Sequence, residues 1–203
     1  MARPAVAALL LVLATAAPAI AAPQDYQLTP THSFVHFEWS HRGLSTLSGR
    51  FDVVRGQLRM DRAARSGGGL VTIRLDRVNT GRPALDAALR QALDADGGEA
   101  PSTFRIDGLR FAGDAPAAAQ GHWSWRGREL DLTLQAVHFN CYLNPLLRRE
   151  VCGGDFEATV DPAAIGVALP ASFGLQGPIR LRVQVEAIRQ EPGEPQEPQE
   201  AGS

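Results

Sequence analysis

With 203 residues, 44% of them apolar and 21% charged, the chain has material for one domain with a real core and is no disordered polymer. Its 20 basic residues are all arginine and, against 22 acidic residues, leave a net charge of -2, so no basic field points to nucleic acid. The absence of lysine excludes Schiff-base chemistry and the lysine-bearing phosphate loop.

In chain order, Arg3 and the apolar run from Ala5 to Ile20 read as a secretory signal peptide. The run is short for a membrane span, and Ala19-Ile20-Ala21 fits the small-x-small cleavage rule. Cleavage before Ala22 predicts a leader over 1–21, an exported barrel over 22–189 and a tail over 190–203. The tail holds Glu, Pro and Gln but nothing large and apolar to offset its ordering entropy, and is expected to be disordered. An uncleaved anchor is the alternative for the leader.

From Tyr26 onward apolar and polar residues alternate in short runs broken by Gly, Pro, Asn and Asp, which is a strand pattern. Val35, Phe37 and Trp39 share one face of the first run, and Phe51 falls in a weaker run over 50–60. Val71, Ile73 and Leu75 share a face of the third. Ser66-Gly67-Gly68-Gly69 reads as a flexible hairpin loop before it.

Arg82-Pro83 then opens the one convincing helix, because proline at the first helical position gives up no needed hydrogen bond. Leu85, Leu89 and Leu93 make its apolar stripe, and Gly97-Gly98 are expected to end it. The stripe is either a lid over one barrel mouth or plain core packing.

Further strands are expected around Phe104, around Trp123 and Trp125 (which share a face), over Leu130, Leu132 and Leu134, over 155–160, and over Ile179, Leu181, Val183 and Val185. The prediction is an all-β fold of about eight antiparallel strands, with the helix between the third and fourth. Closure into a barrel and a two-sheet sandwich both fit the alternation. An outer-membrane barrel fits poorly, since aromatic girdles are missing.

Cys141 and Cys152 are the only cysteines; in an exported chain an even pair reads first as a disulfide, with a catalytic thiol assisted by His138 as the rival. His32 and His36 would lie about 13 Å apart on an ideal strand, too far to share a metal. Gly-x-Ser-x-Gly, His-Glu-x-x-His and Gly-x-Gly-x-x-Gly are absent, and no catalytic set emerges.

The ordered series His32-Ser33-Phe34-Val35-His36-Phe37, His41-Arg42-Gly43, Gly49-Arg50-Phe51, Thr80-Gly81 with Leu85-Asp86 and Leu89, Pro101-Ser102-Thr103-Phe104, Phe139-Asn140-Cys141 and Cys152-Gly153-Gly154-Asp155 resembles the YceI-like polyisoprenoid-binding family over roughly 26–188. The sequence departs from the family pattern at Ala88, after Gly127 and at Pro162-Ala163-Ala164. The resemblance implies an eight-stranded, lipocalin-like barrel in the periplasm whose apolar lumen binds an isoprenoid or quinone-like lipid. No enzymatic turnover, no metal, no cofactor beyond that lipid and no stable membrane insertion are expected from the missing motifs, the histidine spacing and the lack of a long apolar run; a homodimer stays open.

On that reading the lining is Val35, Phe37, Trp39, Phe51, Val71, Ile73, Leu75, Leu85, Leu89, Phe104, Trp123, Trp125, Leu132, Leu134, Leu181 and Val183. Arg42, Arg126 and Arg128 are either rim contacts for a polar headgroup or, as for most of the 20 arginines, solvated surface charge. Alternation alone fits a filled core equally well, which would make the protein an exported interaction or stress-response module.

Overall fold

The computed structural model describes residues 22–52, 54–97 and 101–193. In chain order they form β1 (Gln24–Leu28), β2 (Phe34–His41), β3 (Ser45–Phe51), β4 (Val54–Asp61), β5 (Ser66–Arg74), β6 (Val78–Asn79), the helix α1 (Pro83–Ala92), β7 (Pro101–Ala112), β8 (Ala115–Trp125), β9 (Arg128–Asn144), β10 (Arg149–Val160) and β11 (Leu175–Arg189). Every pairing is antiparallel. Eight strands close a ring in the order β1-β4-β5-β7-β8-β9-β10-β11, with β11 returning to β1, while β2, β3 and β6 extend the ladder beside β11. Closure rules out the sandwich and leaves the eight ring strands without an open edge.

β1 and β2 act as one bent strand against β11, which pairs through Leu175–Gln184 with β2 and through Ala187–Arg189 with β1. Between them residues 29–33 leave the ladder, because Pro30 has no N–H to donate. Thr29 and Ser33 replace the missing bonds: the backbone Thr29 N and the hydroxyls Thr29 Oγ1 and Ser33 Oγ donate to the Glu186 carbonyl at 2.9, 3.0 and 3.3 Å, and Glu186 N donates to Ser33 Oγ at 3.2 Å. Ser33 is wholly buried there.

This segmentation corrects one expectation. Alternation predicts the helix between the third and fourth strands, whereas α1 follows the sixth. β1 precedes the first run that alternation singles out, and the break after Phe51 and the 3-10 turn Leu75–Arg77 each divide a run that reads as continuous in sequence.

The helix also stops earlier than predicted. It ends at Ala92, Leu93 N still donates to Leu89 O at 2.9 Å, and Asp94 takes the left-handed conformation at φ 54°. A short polar side chain tolerates that turn, so glycine is not needed there; Gly98 lies outside the described residues. At the other end Asp86 accepts from Thr80 N (2.8 Å) and Thr80 Oγ1 (2.6 Å), tying the helix to the strand before it.

The glycine run is a second correction. Gly67, Gly68 and Gly69 are in β5, paired with Met60, Arg59 and Leu58 of β4, and the turn itself is Arg62–Arg65. A Cβ at Gly67 would meet the Arg59 carbonyl at 2.7 Å and one at Gly68 the Ile106 carbonyl at 2.8 Å. These glycines therefore serve close strand approach rather than flexibility.

The predicted leader and residues 194–203 of the tail lie outside the described residues. Gln190, placed in the disordered tail by composition, still donates its N–H to Asp25 O at 2.8 Å. No helix among the described residues is long and apolar enough to cross a membrane.

The strand directions give the barrel two ends. One, here the hairpin end, carries the β4–β5, β7–β8 and β9–β10 turns and the outer ends of β1 and β11. The other, the plug end, carries the β2–β3 and β8–β9 turns, α1 and the connection 161–174.

Candidate functional site

Successive strand residues point to opposite faces, so each ring strand contributes alternate apolar side chains to the inside. They surround a void of about 120 Å³. Among the described residues, its walls carry no charged residue and no hydroxyl except that of Tyr26. Of the predicted lining, Val35, Phe51, Val71, Ile73, Leu75 and Phe104 border the void, as do Trp123, Leu132, Leu134, Leu181 and Val183. Alternation did not single out Met60, Leu109, Pro116 and Ala119, which also border it. Met60 follows Leu58 at period two, whereas a bulge after Ile106 shifts the inward phase to Leu109, and Pro116 and Ala119 lie in an Ala-rich segment with no apolar-polar contrast.

Five predicted lining residues are elsewhere: Phe37, Trp39, Leu85, Leu89 and Trp125 do not border the void. All five are buried and close the plug end. Trp39 Nε1 donates to Gly177 O at 3.0 Å, and the Trp125 indole stacks on Trp123 with centroids 4.3 Å apart. Phe37 packs on Phe51 with centroids 5.6 Å apart. Leu85, Leu89 and Leu93 face inward from α1, and Ile165 and Val167 are buried with them from the 161–174 connection. The stripe of the helix is thus core packing.

The rim arginines singled out from sequence belong to this closed end. Arg128 Nη1 donates to Ile165 O at 3.1 Å, and Arg42 and Arg126 hold left-handed turn positions at φ 54° and 45°.

At the hairpin end the void reaches Tyr26, Met60 and Cys152, and a polar cluster stands beside it. Tyr26 Oη donates to Glu150 Oε1 at 2.7 Å, and Arg62 Nη2 reaches the same oxygen at 3.0 Å. Burial pushes the Tyr26 phenol up to about 12; the hydrogen bond to Glu150 and its charge add to this, and Arg62 opposes it.

Cys141 and Cys152 face each other as direct cross-strand partners of β9 and β10 and are joined in a disulfide, with Arg62 Nη2 at 2.8 and 3.1 Å from their sulfurs. The thiol–histidine alternative therefore fails, since neither sulfur is free. The same bond counts against a metal at Cys141, Glu150 and Cys152, the grouping of ligand atoms close enough for one among the described residues. Disulfide sulfurs are not thiolates, and a guanidinium already sits among the three.

Arg62 was missed because nothing in a turn segment of the type Arg62-Ala63-Ala64-Arg65 marks one arginine as inward-reaching. Among the histidines, His36 sits between its cross-strand partners Arg50 of β3 and Arg182 of β11, with burial first and Arg50 second holding its ring below the usual imidazole range. His122 has both ring nitrogens occupied, by Asp131 Oδ1 at 2.6 Å and Asp107 Oδ2 at 2.9 Å.

A family model described as the YceI-like domain matches residues 26–187. Among solved structures, the chain is similar to BcnA of Burkholderia cenocepacia (14% identity, TM-score 0.61, covering 78% of this chain and 98% of that one). It is also similar to a YceI protein of Campylobacter jejuni (19%, TM-score 0.60, 73% and 88%). A third is a polyisoprenoid binding domain from Saccharophagus degradans implicated in plant cell wall breakdown (17%, TM-score 0.52, 81% and 98%). No curated protein matches by sequence. The closed eight-stranded barrel shared with these structures and the match across nearly all of it place the chain in the YceI-like family.

Proposed function

We propose that this protein binds the apolar tail of an isoprenoid, of the polyprenyl or prenylquinone kind, in its barrel lumen. It would act in the periplasm as a carrier or reservoir without turning its ligand over. The observation that carries this reading is the wall of the void, which offers hydrocarbon, indole and sulfur surface, with Tyr26 as its one hydroxyl among the described residues. Family membership and the polyisoprenoid binding named for the Saccharophagus domain support it. A disulfide suits an oxidising compartment.

Removing a five-carbon unit from water contributes on the order of 3 to 4 kcal/mol at ~0.8 kcal/mol per methylene, before ordering costs. A dry cavity of roughly 150 Å³ takes one benzene-sized guest, so the void holds roughly one prenyl unit without rearrangement. A longer tail enters by displacing flexible walls, of which Met60 is the most adaptable. The small void also favours the rival reading, a filled scaffold that binds through its surface.

Mass spectrometry of organic extracts from protein purified under native conditions separates the two. Recovery of a prenyl lipid, or saturable uptake of an added prenylquinone, is expected. Repeated absence of both would leave the filled scaffold.

A further inference from the structure

The β9–β10 hairpin presents a tip of unusual composition. Its eight residues from Tyr142 to Arg149 include three leucines, a tyrosine and two arginines, and no acidic residue. Leu143 is 71% exposed, Leu146 92% and Leu147 48%, with Tyr142 also exposed. Of the six large apolar side chains exposed among the described residues, four are on this tip.

Local chemistry holds them out. Asn144 Oδ1 accepts from Leu146 N at 3.0 Å and Leu147 N at 3.1 Å, while Arg148, at φ 54°, returns its N–H to Asn144 O at 2.8 Å. Three residue pairs back, the Cys141–Cys152 bridge fixes the base, and Arg62 from the β4–β5 turn reaches across to it and to Glu150. The leucines are thus displayed on a braced support at the end where the void reaches Tyr26 and Cys152.

We infer that this tip is a peripheral membrane anchor. Leu143, Leu146 and Leu147 would enter the acyl boundary of an anionic bilayer, with exposed Arg148 at the headgroups. An apolar point beside exposed Arg148, with the carboxylate of Glu150 opposite Leu143 already engaged by Tyr26 and Arg62, complements an anionic interface. Tyr142 is amphipathic and suits the same depth. A protein partner or a second copy is the weaker fit, because a stable interface takes about 800 Å² from each side. The exposed apolar surface here is concentrated on one hairpin tip. The inference does not depend on what the lumen holds.

The test is flotation of the full chain with phosphatidylethanolamine–phosphatidylglycerol vesicles and with phosphatidylcholine vesicles, no quinone being added. Three variants are compared: Leu143→Ser/Leu146→Ser/Leu147→Ser, Leu146→Ser alone in case the triple change disturbs folding, and Leu44→Ser. Leu44 is 85% exposed but sits in the β2–β3 turn at the opposite end.

Recovery with anionic vesicles is expected to fall about tenfold or more in the triple variant and severalfold in the single one, and to be unchanged in Leu44→Ser. A Leu146→Trp probe should shift its emission to the blue when anionic vesicles are added. Equal recovery of the leucine variants and wild type, or a probe blind to vesicles, would overturn the inference. So would a dimer, by light scattering, that the triple variant loses while its vesicle recovery stays at the wild-type level.

Discussion

At the plug end, Trp39, Trp125, Leu85 and Leu89 are buried in one cluster with Ile165 and Val167, and none of them borders the central void; at the hairpin end the same inward-facing pattern encloses that void and finishes in Tyr26, Arg62, Glu150 and a disulfide. The contrast arises from what covers each end. A helix and a folded connection supply inward apolar side chains to one, and short turns whose side chains do not line the void, the exposed leucines of the β9–β10 tip included, border the other. Stability should accordingly be concentrated at the plug and adaptability around the void.

The sharpest way to break this contrast is truncation. Trp125→Ala at the plug is expected to cost about 3–5 kcal/mol, the range for a large side chain removed from a tight core. Leu109→Ala, partly buried beside space that already exists, should cost well under half of that in denaturant unfolding. Equal losses would mean that the two ends are packed alike.

Next in size is Cys141→Ser/Cys152→Ser, expected to lose about 2–4 kcal/mol, since the bridge closes a loop of 11 residues' separation. A change below about 1 kcal/mol would show that the hairpin is braced without it.

Tyr26→Phe is expected to cost about 0.5–1.5 kcal/mol through the lost bond to Glu150. It also has a pH signature. Because the folded phenol titrates near 12 against 10.0 when free, its contribution is whole below pH 10 and is lost as pH rises towards 12. Wild type should lose stability over that window and Tyr26→Phe should lose less; identical alkaline limbs would place the tyrosine in water.

The smallest effect is on the outer wall. His36 is held below 6.5 by burial and Arg50, so its contribution is whole above that value and declines as pH falls below it. His36→Gln should flatten the acid limb slightly, measured as midpoint against pH from 7 to 5.

The ring of strands was legible because period-two alternation survives wherever one face meets the lumen, as in Val71, Ile73 and Leu75 or Leu181 and Val183. Which inward residues border space and which fill it was not legible. Trp123 and Trp125 have the same spacing and environment in sequence, and only the stack between them, with Trp125 on the plug side, separates their roles.

Long-range contacts escaped for a similar reason. The reach of Arg62 to residues 79 and 90 positions away, and the substitution of Ser33 and Thr29 for ladder bonds at Glu186, depend on strands brought together by closure. The glycines of β5 misled because composition reports the freedom of an isolated chain, whereas neighbouring carbonyls had already removed it.

Whether the lumen takes a tail is tested most directly by filling it. Ala119 is buried and borders the void, and Ala119→Phe would occupy that space at a cost of about 1–3 kcal/mol. Equilibrium binding of a radiolabelled prenylquinone to wild type and to the folded variant is the measurement. Saturable binding by wild type, with affinity about tenfold or more weaker in Ala119→Phe, is the expected result. Equal affinity in both, or no saturable binding by wild type, would contradict it.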